Sequence, residues 1–121
     1  MKNDTSHERL LRIYILGCLK LLRSGSINRD QLHWLVFNPA FQREVAAIGF
    51  VDLANIISEG LFIEDVLSLC GELEYEKLLN RIELMTLNGL ASFKDYDDAH
   101  AVNKIIRSSI AGFDGNASKN L

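Results

Sequence analysis

Six glycines each follow an apolar stretch in this chain, at Gly25, Gly49, Gly60, Gly71, Gly89 and Gly112. Glycine reaches left-handed backbone without a Cβ penalty and is the commonest residue just past the last turn of a helix, so this spacing predicts one helix stopped after another. Six stops divide the sequence into six or seven short helices. No pair of alternating segments flanks a two-residue hairpin turn, and the one Asn-Gly pair, Asn88-Gly89, ends a helical stripe instead. The expected fold class is therefore all-α, with residues 1–121 forming a single compact domain. At 121 residues and 48% hydrophobic, the chain carries enough apolar material for one core. Residues 112–121, rich in Gly, Asn and Ser, are expected to form a flexible tail.

Starts and faces can be read for each helix. Thr5 and Glu8 form a capping-box pattern ahead of a helix to Ser24, whose apolar stripe runs through Leu10, Leu11, Tyr14, Cys18, Leu21 and Leu22; Arg9, Arg12, Lys20 and Arg23 are expected to face water. Asn28 with Gln31 caps a short helix carrying Leu32, Leu35 and Val36 inward. Asn38 caps the next, with Pro39 at its first position, where a missing amide hydrogen costs nothing. The segments Phe50 to Glu59 and Phe62 to Cys70 are too short to persist alone, and they read as interior helices held by packing. A longer helix from Glu72 to Asn88 presents Tyr75, Leu78, Leu79, Ile82 and Met85 on one stripe. After a loop through Ser92 and Phe93, a last helix starts near Asp95 with Ala99, Val102, Ile105, Ile106 and Ile110 as its core face.

Signatures of chemistry are missing. His7, His33 and His100 are scattered without two-histidine ligand spacing, and Cys18 and Cys70 both read as small buried hydrophobes, so neither a metal nor another cofactor is expected. Asp95, Asp97, Asp98 and His100 lack the glycine and final glutamate of a calcium loop. No phosphate-binding glycine loop, nucleophile elbow or dinucleotide fingerprint occurs, and no catalytic residue is expected. Glu64 and Asp65 are the best-placed carboxylate pair, yet neighbours on a helix point about 100° apart. Polar residues 1 to 9 and the interrupted apolar run Ile13 to Leu19 leave no expected leader or membrane span, and the expected location is cytoplasmic.

Charge is the informative feature. Residues 1–43 hold seven Lys or Arg against three acids, residues 44–76 hold eight acids with no Lys or Arg, and residues 77–121 hold six bases and five acids. Packing the apolar faces of the central helices inward is expected to turn these carboxylates outward together as one acidic surface. Such a surface repels nucleic acid, so no direct nucleic-acid partner is expected, whereas a basic protein partner is favoured by complementary potential. The expected partner-binding residues are Glu59, Glu64, Asp65, Glu72, Glu74 and Glu76.

The stretches Trp34-Leu35-Val36-Phe37-Asn38-Pro39 and Ile56-Ile57-Ser58-Glu59-Gly60-Leu61-Phe62-Ile63-Glu64-Asp65-Val66 resemble a family of small helical bacterial proteins of unknown function, some of them known as immunity proteins of contact-dependent growth inhibition. Phe37, Pro39, Gly60, Glu64 and Asp65 carry the likeness, which spans residues 10 to 85. The resemblance implies a non-enzymatic inhibitor that neutralises a toxin domain, with the two acids touching the partner. The alternative reading is a regulatory or scaffold protein that forms a homodimer through Trp34, Phe37 and Phe41, since aromatic residues are enriched at interfaces.

Overall fold

A computed structural model of the chain describes the backbone of residues 5–90 and 96–120, with side chains over 6–90 and 99–112. Among the described residues the fold is seven helices without a strand: α1 (Thr5–Arg23), α2 (Arg29–Leu35), α3 (Pro39–Ile48), α4 (Val51–Gly60), α5 (Ile63–Cys70), α6 (Glu72–Leu90) and α7 (Tyr96–Asn120). α6 is the hub, packing against α1, α4 and α5; α3 pairs with α4, and α1 also carries α2 and α7. Tyr75, Leu79, Ile82 and Thr86 are its buried stripe. The first three meet Ile15, Cys18 and Leu19 of α1 together with Leu53, Ile56 and Ile57 of α4 in one apolar cluster.

The helix starts follow from local chemistry. The Asn28 side chain accepts from the Gln31 amide while Gln31 Oε1 accepts from the Asn28 amide, both at 2.8 Å, which completes a reciprocal cap on α2. Asn38 Oδ1 accepts from the Phe41 amide at 2.8 Å with Pro39 at the first helical position of α3. The Thr5 side chain, read as a cap, and the loop through Ser92 and Phe93 lie outside the described residues.

The glycines divide into two kinds. Gly25, Gly49 and Gly71 have positive φ and end α1, α3 and α5 as expected. Gly60 and Gly89 do not: both keep helical backbone, and a Cβ at either would collide, with the Phe37 ring at Gly60 and with the Arg12 guanidinium at Gly89. They are glycine because another part of the chain comes too close for a side chain. Gly112 ends nothing, since α7 continues to Asn120.

Three expectations about burial are revised. Arg12 is 4% exposed and sits between α1 and the last turns of α6. The buried face of α1 is accordingly turned towards Arg12, Ile15 and Leu19, while Tyr14 and Leu21 stay partly outside. α5 is a surface helix: only Ile63 is fully buried, and Cys70 is exposed, because α5 packs by one side on α6. Among the described side chains of α7 only Val102 is fully buried, with Ile106 and Ile110 exposed.

Candidate functional site

Glu64, Glu72 and Glu76 come near one another at one corner of the molecule, where the starts of α2, α5 and α6 meet the end of α1, whereas Asp52 and Glu59 stand apart, lining a depression between α4 and the last turns of α6. Helix N-termini present unsatisfied amides and the positive end of the backbone dipole, so first turns favour carboxylates. Asp30 on α2, Asp52 on α4, Glu64 and Asp65 on α5, and Glu72 and Glu74 on α6 all occupy such positions.

Basic residues from outside the segment are interleaved with them. Arg29 Nη2 donates to both Glu72 carboxylate oxygens, at 3.0 and 3.1 Å. Arg23 contacts Glu76 and Glu83, each at 3.3 Å, and donates to Asn80 Oδ1 at 2.8 Å. Lys77 pairs with Glu74 at 3.2 Å, and Arg81 reaches across to Glu59 on α4 at 2.7 Å. Four of the six expected partner-binding acids, Glu59, Glu72, Glu74 and Glu76, are thus held in ion pairs, and the central third does not present an unbroken anionic face. Glu64 and Asp65 have no ion pair among the described residues. They diverge, Glu64 lining a groove and Asp65 facing outward.

That groove has a volume of about 620 Å³. Asp30 and Asn28 stand on its α2 side and Glu64 on its α5 side, with Leu22, Leu79 and Tyr75 also lining it. Arg29 lies over the Tyr75 ring with its guanidinium carbon 4.5 Å from the centroid. The Tyr75 hydroxyl is buried without a hydrogen-bond partner among the described residues. Burial pushes its phenol above the ordinary range; Arg29 opposes this and the charges of Glu64 and Glu76 reinforce it.

Beside the groove, α5 carries an outward stripe. Phe62, Asp65 and Leu69 follow one another at spacings of three and four, which places them on one side of the helix. Phe62 is 60% and Leu69 85% exposed, and Leu73, just past Gly71, is 69% exposed. The aromatic trio of the homodimer reading is not available in the same way. Phe37 is fully buried, and Phe41 is half-buried edge-on to Tyr14 with ring centroids 6.0 Å apart. Of the three, only Trp34 is exposed.

Two features of this corner had little or no sequence signal. Tyr75 reads as a core residue from its stripe, and nothing adjacent in sequence announces Arg29 or Asp30 as its neighbours. Among the described residues no cluster of three or more His, Cys, Asp or Glu could hold a metal ion, and no helix is long and apolar enough to cross a membrane.

Comparison with known proteins assigns a family. Residues 2–107 match DUF3969, proteins of unknown function. The chain belongs to this family. The DUF3969 match takes in every residue of the groove and all of α5. A search of curated proteins and a search of solved structures each found no match.

Proposed function

We propose that this DUF3969 protein is a non-enzymatic cytoplasmic binding module, an immunity or inhibitor protein that neutralises a basic toxin domain, and that it docks through α5. The observation that carries the reading is the outward stripe of α5. Two large apolar side chains, Phe62 and Leu69, stand exposed beside carboxylates Glu64 and Asp65, which no cation of the described residues engages. An apolar centre with a charged rim is the usual anatomy of a protein interface, and unpaired acids favour a basic partner. The paired acids Glu59, Glu72, Glu74 and Glu76 are assigned a structural role here. The resemblance of Trp34 to Pro39 and of Ile56 to Val66 to immunity proteins supports the toxin as the kind of partner.

The test asks first whether the gene beside the one for this chain encodes a basic toxin domain, which the reading predicts, and then uses that domain. Co-expression should restore growth and the two purified proteins should form a complex. Phe62→Ala with Leu69→Ala should slow growth recovery and raise koff, while Glu64→Lys with Asp65→Lys should lower kon most at low salt. A toxin neutralised equally well by both double variants would refute docking through α5.

A further inference from the structure

We propose that α7 of a second copy of this chain docks on the outward face of α5, and that by two-fold symmetry α5 of that copy receives α7 in return. The pairing goes beyond the reading above and needs no toxin. It covers the face that a toxin would have to reach.

The two faces are opposite in charge and alike in apolar content. Residues 99–112 contain Lys104 and Arg107 and no acid. Both cations are exposed and engage no carboxylate among the described residues. Ile106 and Ile110 stand exposed beside them, Ile110 by 56%. α5 has the reverse composition, with Glu64 and Asp65 in no ion pair of the described residues beside exposed Phe62 and Leu69. Apolar area alone would not choose an occupant, but free charges of opposite sign on the two faces do, and complementary potential penalises other pairings.

The order of side chains around each helix allows both matches at once. At about 100° per residue, the face of α7 turned away from buried Val102 runs Ile106, Ile110, Arg107, Lys104 around the helix. In the same rotational sense, the face of α5 turned away from buried Ile63 runs Glu64, Asp65, Leu69, Phe62. Two helices laid face to face with the same polarity bring these reversed orders into register, apolar on apolar and acid on base. Opposite polarity would set Arg107 and Lys104 against Phe62 and Leu69.

The faces also stand at opposite ends of the molecule. Arg23 at the end of α1 pairs with Glu76 near the start of α6, and Arg12 donates to Met85 and Thr86 near the end of α6, so α1 and α6 run antiparallel. α7 meets the start of α1, where Ser6, Lys104 and Ile105 line one depression. α5 meets the start of α6, where Val66, Glu74 and Leu78 line another. One chain therefore does not lay its own α7 on its own α5, whereas two copies set side by side and head to tail make both contacts together. That is the self-complementary geometry of a closed two-fold dimer.

The experiment is sedimentation equilibrium of the full chain alone, from low to high micromolar concentration. It should show a monomer–dimer equilibrium that weakens as salt rises. Lys104→Glu with Arg107→Glu should raise the dimer dissociation constant at least about tenfold, and so should Glu64→Lys with Asp65→Lys. All four side chains are exposed, so the helices should persist in both variants, which circular dichroism checks. Mixed in equal amounts, the two reversed chains should dimerise again, because every α7–α5 contact between them then joins opposite charges. Ile106→Ala with Ile110→Ala should weaken the dimer as Phe62→Ala with Leu69→Ala does. The pairing is overturned by a chain that stays monomeric throughout, by association that grows beyond two copies, or by reversed chains that stay apart when mixed. A dimer lost in Trp34→Ala but kept in both charge reversals overturns it as well. No toxin is present in these measurements, so a failed dimer leaves toxin docking on α5 to its own test, and a failed toxin test leaves the dimer standing.

Discussion

The guanidinium of Arg12 occupies the space over Gly89 where any side chain would stand, and from there Nη1 donates to the carbonyl oxygens of Met85 at 3.1 Å and Thr86 at 3.2 Å. Glu8, one turn back on α1, accepts from Nε at 3.1 Å and supplies the counter-charge. A buried guanidinium is tolerated only when its charge and its donors are matched, and removing one partner strands the rest. α1 and the end of α6 are fastened together by this arrangement.

Alanine substitution of three helical glycines should therefore give opposite signs. Alanine exceeds glycine in intrinsic helix stability by about 1 kcal/mol. Gly17 has open space where its Cβ would be, so Gly17→Ala should stabilise the fold by about 0.5–1 kcal/mol. Gly60→Ala must displace the buried Phe37 ring and should cost about 1–3 kcal/mol. Gly89→Ala must displace Arg12 and should cost about 2 kcal/mol or more. Urea denaturation of the three variants measures all three, and a destabilised Gly17→Ala or a stabilised Gly89→Ala would contradict the packing described.

The two thiols should react very differently. Cys18 is buried, and that burial raises its pKa, while Cys70 is exposed at the end of α5. Thiolate is the reactive form, so a disulfide reagent at pH 8 should label one thiol quickly and the other only as the fold opens. Cys70→Ser should abolish the fast phase. Two fast thiols in the folded chain would show that α1 does not bury Cys18.

Stability should fall on the alkaline side. Burial raises the pKa of Cys18 from 9.0, and of Tyr14 and Tyr75 from 10.0, with Cys18 adding to the effect at Tyr14. A group whose folded pKa is raised contributes stability fully below its unfolded pKa and loses it as pH rises towards the folded value. The unfolding free energy should thus begin to drop near pH 9 and steepen above pH 10. Cys18→Ala should flatten the first part and Tyr75→Phe should lessen the second. A profile in which these variants keep the full slope would remove burial of these groups as its cause.

Charge reversals should sort the acids by role. Glu72→Lys and Glu76→Lys each remove an exposed ion pair, with Arg29 and with Arg23, and should cost up to about 1 kcal/mol apiece. Glu64→Lys with Asp65→Lys breaks no ion pair of the described residues and loses only the favourable position at a helix start, about 0.3–1 kcal/mol each. High salt should shrink all of these differences. Reversals at Glu72 and Glu76 that leave stability untouched at low salt would mean those pairs contribute nothing.

Local rules were the legible ones. The caps at Asn28 and Asn38, the left-handed glycines 25, 49 and 71, and the buried positions Tyr75, Leu79 and Ile82 all follow from spacing within a few residues. Gly60 and Gly89 look like helix stops in the sequence, but the reason for glycine there is a side chain from a distant segment. The burial of Arg12 is hidden from the sequence for the same reason, its partners being carbonyls more than seventy residues away. The acidic third was legible as a count of charges but not as a surface. Asp52, Glu64, Asp65, Glu72 and Glu74 cluster in sequence because three helices start there, and Arg23, Arg29 and Arg81 meet several of the acids only once the chain is folded.

The most direct measurement is the association of this chain with the basic toxin domain proposed as its partner when Phe62 and Leu69 are both alanine, compared with the same experiment on Trp34→Ala. Binding through α5 predicts a complex weakened by at least about a hundredfold in the first variant, as expected when central apolar anchors are lost, and unchanged in the second. Equal affinity for the first variant and the natural chain, or a loss confined to Trp34→Ala, would contradict it.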